Sequence, residues 1–197
     1  MIEVKDTKIN KFRGEYFFLS NYFEAPVLYD GILYNSSEAA YHAQKCENPE
    51  DRQLFIGIDA DASKKLGRKV KMRKDWDDVK FGIMHDIVLA KFQQNKELAA
   101  KLLATGTAYL EEGNTWGDKI WGTVNGEGEN HLGVTLMIVR NEIKYQHKFE
   151  RAFNLKQAIE LFPKVTTESN NVANSEDVRK LLKDVSTLLE RLIVEDK

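Results

Sequence analysis

The chain has 197 residues, 42% hydrophobic and 30% charged, with 29 Lys and Arg against 31 Asp and Glu. That length supports one core of roughly 150 residues plus an appendage, and the composition is that of an ordinary folded protein. A net charge of −2 gives no general field for gathering nucleic acid and leaves only a local basic patch open, while a single cysteine excludes an intramolecular disulfide and a thiolate-rich zinc site. No apolar run approaches the roughly 20 residues of a membrane span, and residues 1–6 carry no signal-peptide apolar core, so a cytoplasmic location without membrane attachment is expected.

The segment from Phe12 to Leu33 is rich in aromatic residues. Asp30-Gly31 stands between the apolar triplets Val27-Leu28-Tyr29 and Ile32-Leu33-Tyr34, which predicts a β hairpin. Asn35-Ser36-Ser37 supplies N-cap oxygens for a helix to about Cys46. Pro49 opens another helical piece, and Asp61 is placed to cap a short helix through Val70. Asp75 is placed to cap a long helix, in which Val79, Ile83 and Ile87 run beside Met84 and Val88 at helical spacing. Leu98, Leu102 and Leu103 extend the pattern into a shorter helix, and Ala108-Tyr109-Leu110 fits either a strand or a helix end.

From Gly113 to Gly133 the texture changes, because six of the 12 glycines fall there. Leu136, Val139 and Ile143 then predict a closing helix. A domain boundary is placed near residue 148, leaving 1–148 as the functional domain and 149–197 as a helical extension. Residues 146–197 balance nine basic against nine acidic side chains, and the polar stretch at about 163–175 reads as a linker. The stripe Val178, Leu181, Leu182, Val185, Leu188, Leu189 and Leu192 needs a partner surface, in its own chain or in a homodimer.

Two constellations carry chemistry. Glu38, Tyr41, His42 and Lys45 recur at offsets of three, four and seven, so they share one helix face. A carboxylate and an amine on one stripe suit proton transfer beside nucleophilic or electrostatic work. The same spacing fits a capping-box glutamate three residues after Asn35 and a solvated lysine. In the glycine-rich stretch, Trp116 and Trp121 offer flat faces for a base, and Asn114, Asp118 and Asn130 offer groups to orient it. Packing tryptophans over the core would explain the same residues. The stretch is neither a dinucleotide fingerprint nor a P-loop. Ser20-Asn21 with Phe23 can present an amide to a ligand or simply belong to a buried hairpin. Arg73-Lys74-Asp75-Trp76 fits either phosphate binding or a capped helix start. Cys46, four residues after His42, fits a Cys-His dyad or a small buried hydrophobe. No histidine spacing resembles a zinc site, so neither metal nor cofactor is expected.

Taken in order, these motifs resemble the NADAR (YbiA-like) superfamily. The matching stretches are Phe12-Arg13-Gly14-Glu15-Tyr16 with Phe18 to Phe23, and Ser37-Glu38-Ala39-Ala40-Tyr41-His42-Ala43-Gln44-Lys45. Arg73 to Trp76, Lys91 to Asn95 and Leu103 to Gly106 follow, then Glu112 to Asp118 with Trp121-Gly122, and Gly128 to Gly133. The resemblance covers about residues 8–145 and implies a mainly α (α+β) compact domain with a short N-terminal β hairpin. It implies a hydrolase that cleaves the C1–N bond of ribosylated nitrogen compounds, such as ADP-ribosylated guanine, free or in nucleic acid, or phosphoribosylamino-pyrimidine intermediates of riboflavin synthesis. A non-catalytic binder of ADP-ribose or a related nucleotide is the alternative. The resemblance places Glu38, Lys45 and Asp118 as catalytic. Arg13, Ser20, Asn21, Phe23, Tyr41, Arg73, Trp76, Asn114, Trp116, Trp121 and Asn130 are the expected substrate contacts, with Lys91 a further phosphate candidate. Ala39 and Thr123 depart from the family pattern, where His and Asp are frequent.

Overall fold

The computed structural model describes residues 7–147 and residue 150. Two compact units divide the chain, residues 1–143 and 144–197. The linker and the Val178–Leu192 stripe lie outside the described residues.

Strand β1 (Lys8–Ile9) leads into a 3-10 helix (Gly14–Leu19) that buries Phe18 and Leu19. The aromatic segment thus forms a tight helical turn where the sequence suggests a hairpin. The expected hairpin follows it: β2 (Glu24–Tyr29) and β3 (Ile32–Ser36) pair antiparallel. Asp30 and Gly31 both take positive φ, 49° and 76°, as the two-residue turn that matches strand twist requires.

Helix α1 (Ser37–Ala43) starts where Ser36 Oγ accepts the Ala39 N–H at 3.2 Å. All seven of its residues are buried, so this short helix is the centre of the fold rather than a surface element. A second 3-10 helix (Pro49–Phe55) is capped by Asn48, and α2 (Ala60–Gly67) by Asp59, whose Oδ1 accepts the Ala62 N–H at 2.7 Å. Asp61, the expected cap, sits instead in the first turn of α2. Helix α3 (Trp76–Gln94) begins after Asp75, but that carboxylate caps nothing because Arg73 binds both its oxygens, at 2.6 and 2.7 Å.

Helix α4 (Lys96–Ala104) precedes β4 (Tyr109–Leu110), which pairs in parallel with β1 and so resolves the Ala108–Leu110 ambiguity in favour of a strand. A third short pair, β5 (Gly113–Asn114) with β6 (Thr123–Val124), closes the glycine-rich loop. Helix α5 runs from 131 through 147 and buries Leu136, Val139 and Ile143, as their spacing predicts. The result is a mainly helical α+β fold whose core joins α1, α3 and α5 around Tyr34, Phe55, Ile87, Phe92 and Leu110. Among the described residues, no helix is long and apolar enough to cross a membrane.

Candidate active site

The burial of α1 gives its polar stripe one outlet. Glu38, Tyr41, His42 and Lys45 face a cavity of about 570 Å³, also lined by Arg13, Ser20, Asn21, Trp76, Trp116, Asp118 and Trp121. Five chain segments therefore converge on one cavity, where the sequence grouped their residues segment by segment.

Glu38 is 8% exposed, and its Oε1 lies 3.0 Å from His42 Nε2. An ionised carboxylate only accepts, so the imidazole donates through Nε2. His42 in turn is packed against Gly67 of α2, where any Cβ would overlap the ring. The dyad is therefore histidine with glutamate. Cys46 is buried, and burial pushes its thiol pKa up, so it behaves as a small core residue. The Glu38 N–H donates to the Asn21 carbonyl at 3.0 Å, which ties the Ser20-Asn21 corner to α1.

Lys45 extends from the end of this stripe between two rings, its Nζ 5.6 Å from the centroids of both Tyr41 and Trp76. Burial lowers its pKa, opposed by the charge of Glu38, which enlarges the neutral, nucleophilic fraction of the amine. Tyr41 and Trp76 lie 5.0 Å apart and Tyr41 and Trp121 5.4 Å, so an aromatic wall stands beside both charged groups. Burial raises the Tyr41 phenol pKa far above its usual value and leaves it a neutral donor.

The glycine-rich loop is held by its own amides. Asn114 Nδ2 donates to the carbonyls of Asp118 and Thr123 at 2.7 and 2.9 Å. Asp118 Oδ1 accepts the N–H groups of Ile120 and Trp121 at 3.0 and 2.9 Å. Asn130 Oδ1 accepts the Glu112 N–H at 3.0 Å, and its Nδ2 reaches the Leu110 carbonyl at 2.9 Å. Asn114 and Asn130 thus shape the loop without lining the cavity, because all their groups are used on backbone or on Tyr109. Asp118 does line it, with one oxygen committed to the turn.

Three other expected contacts lie elsewhere. Phe23 packs edge-on to Phe17 at 5.7 Å. Arg73 binds Asp75 beside a separate hollow that Cys46, Glu47 and Arg52 also line. Lys91, 1% exposed, donates to the carbonyls of Phe18 and Ser20 at 2.7 and 2.9 Å, so it fastens the 3-10 helix and cannot hold a phosphate in the cavity.

The cavity also holds residues not singled out from the sequence: Tyr22, Lys64, Arg68, Lys80 and Glu112. Lys64 and Arg68 are four residues apart on and just after α2, so they share a face. A signal for them existed. Lys64, Lys65, Arg68, Lys69, Lys71, Arg73 and Lys74 place seven cations among the eleven residues 64–74, with no acidic residue between them. Arg13, its guanidinium carbon 5.5 Å from the centre of the half-exposed Trp116 ring, adds a cation at another edge.

The cavity thus brings together an aromatic wall, an acid–amine stripe and a cationic rim, groups that can hold an anionic, ring-containing ligand. Residues 9–144 match the NADAR domain family. The chain belongs to that family. It is 35% identical to the N-glycosidase YbiA of Shigella boydii over 71% of this chain and 91% of the other. It is 36% identical to a riboflavin biosynthesis protein of Vibrio vulnificus over 73% of this chain, but spans only 39% of that longer protein. The NMR structure of YbiA from E. coli shares its fold, with a TM-score of 0.66, 32% identity and coverage of 75% of this chain and 91% of that one.

Proposed function

We propose that this protein is an N-glycosidase that hydrolyses the C1–N bond of a phosphorylated, ribosylated nitrogen heterocycle. The observation that carries the reading is the α1 stripe: Glu38 held by His42 and Lys45 held between Tyr41 and Trp76, all opening on one cavity. The names of the relatives, N-glycosidase and riboflavin biosynthesis protein, support it.

Breaking C1–N builds positive charge on the ribose, which a carboxylate at its face stabilises. Glu38 takes that role and draws the proton from the attacking water. In a second route, neutral Lys45 attacks C1 as the bonding pair goes to the nitrogen, which takes a proton from the new ammonium; the ring oxygen then leaves C1 and takes a proton from solvent, and water hydrolyses the resulting imine to sugar and free amine. The lowered pKa of Lys45 favours this route. The aromatic wall stacks on the heterocycle, and Lys64, Arg68 and Arg13 neutralise phosphate.

This reading leaves two substrate classes to distinguish: a free phosphoribosylamino-pyrimidine and an ADP-ribosylated guanine. Within the basic run at 64–74, Lys71 pairs with Glu47 and Arg73 with Asp75, but Lys65 and Lys69 are exposed next in sequence to the cavity-lining Lys64 and Arg68, which favours a substrate carried on a polyanion. The test is base release, followed by chromatography, from a phosphoribosylamino-pyrimidine, ADP-ribosylated guanosine and ADP-ribosylated guanine in DNA. Faster release from the polymer, lost on raising salt, is expected. Tight calorimetric binding of ADP-ribose with no released base from any substrate would instead establish a non-catalytic binding module.

A further inference from the structure

Cleaving C1–N on a neutral heterocycle requires a proton for the leaving nitrogen, and in the direct-water route Glu38 is already committed to taking the proton of the attacking water. The cavity holds two more carboxyl groups. Asp118 spends Oδ1 on the backbone of Ile120 and Trp121. Glu112 is different. Its Oε2 is buried with no hydrogen-bond partner, and the residue lines the cavity.

The backbone explains how Glu112 comes to face inward. Its N–H is held by Asn130 Oδ1 at 3.0 Å and its carbonyl accepts the Thr123 N–H at 2.9 Å. The neighbouring Glu111 is spent on Thr123 Oγ1 at 2.7 Å and on Lys8. In extended chain successive side chains take opposite sides, so pinning Glu111 away from the cavity directs Glu112 toward it. Gly122 is packed directly on the Glu112 carbonyl and side-chain stem, where a Cβ would collide.

We infer that Glu112 is the general acid of the N-glycosidase reaction, its carboxyl proton passing to the nitrogen as the C1–N bond breaks. The inference rests on the proposed N-glycosidase activity. The bonding pair goes to nitrogen together with the Glu112 proton. Water oxygen bonds to C1 and its proton passes to Glu38. Water is thereby added across the bond, and solvent restores the proton to Glu112. The surroundings keep Glu112 protonated near neutrality: burial leads in raising its pKa to about 7, with the charges of Asp118 on the glycine loop and Glu38 on α1 adding to it. Arg13, ahead of the first 3-10 helix, and Lys64 on α2 act in the other direction. Two carboxyl groups with different surroundings then hold different protonation states in one site.

The experiment compares wild type with Glu112→Gln on two ribosides, across pH 5–9. One has an amino-pyrimidine or guanine leaving group, and the other a pyridinium, whose nitrogen leaves as a neutral base without a proton. Wild type should lose kcat/KM on the first substrate as pH rises through about 7. Glu112→Gln should lose about 10²–10⁴-fold on that substrate together with the basic limb, and at least tenfold less on the pyridinium. A variant that keeps both the rate and the basic limb on the first substrate overturns the role of Glu112 alone, and so does an equal loss on both substrates. A wild-type protein that releases no base overturns the N-glycosidase reading and this role with it.

Discussion

Lys45 and Glu38 are seven residues apart in sequence, yet they meet the same cavity for different physical reasons. Glu38 is held by His42 through its carboxylate and by the Asn21 carbonyl through its backbone. Lys45 sits beyond the last turn of α1, and its position depends on the faces of Tyr41 and Trp76. Lys45→Ala and Glu38→Gln should each reduce kcat by about 10²–10⁴-fold while leaving the far-ultraviolet circular dichroism unchanged. Steady-state base release checks both, and a wild-type rate in either variant removes that residue from the mechanism. Borohydride during turnover separates the two routes. A mass increase of the sugar fragment on Lys45 establishes the imine, and an unmodified lysine under turnover establishes direct attack by water.

At the scale of elements, the site depends on two close approaches. Helix α2 meets α1 at Gly67, which touches the His42 ring. Gly67→Ala adds a methyl group where there is no room, and overpacking of this kind costs about 1–3 kcal/mol. Urea denaturation should show that loss, and kcat should fall as well because His42 can no longer hold Glu38. The second approach is α3 to the first 3-10 helix through Lys91. Burial lowers its pKa to about 7, against about 10.4 in the unfolded chain. Between those values the unfolded chain binds more protons, so this term raises stability as pH increases from about 7 to about 10. Below about 7 the lysine is protonated in both states and the term is constant. Lys91→Met leaves the Phe18 and Ser20 carbonyls without their donor, so it should be less stable than wild type. It should also lose the rise: the gap between the two proteins in urea denaturation widens from pH 7 to pH 9. Parallel curves would mean that Lys91 stays charged in the fold.

At the scale of the whole molecule, the family match ends at residue 144 and the cavity-lining residues lie between Arg13 and Leu132. We propose that residues 1–148 are the catalytic domain and that the remainder is an accessory, with the Val178–Leu192 stripe as a dimer contact. The truncated chain should keep kcat/KM within about twofold of the full chain, a difference well under the 1.4 kcal/mol that a factor of ten represents. A tenfold loss would give the extension a part in catalysis, and sedimentation of both forms would show whether it sets the oligomeric state.

Much of this was legible in order along the chain. The Asp30-Gly31 turn, the Ser36 cap and the apolar rows of α3 and α5 follow from local rules: positive φ, an oxygen for an orphan N–H, and 3.6 residues per turn. The same periodicity put Glu38, Tyr41 and Lys45 on one face. What periodicity lacks is depth. It gave Asp61 and Asp75 as caps, although Asp59 lay nearer the helix start and Arg73 was close enough to take the Asp75 carboxylate. It left Asn114 and Asn130 as ligand contacts, although each is spent on closing a loop. Lys91 was the phosphate candidate and Lys64 was not, although Lys91 is spent on the Phe18 and Ser20 carbonyls and Lys64 lines the cavity. The sequence by itself determined the β2–β3 hairpin, the main helices and the residue types of the site, because those depend on neighbours within a few positions. Only the tertiary structure decided that all seven residues of α1 are buried with its polar stripe facing the cavity, that Lys91 belongs to the core, and that Lys64, Arg68 and Glu112 line the cavity. Those facts depend on which surfaces remain open to water once segments far apart in the chain have packed.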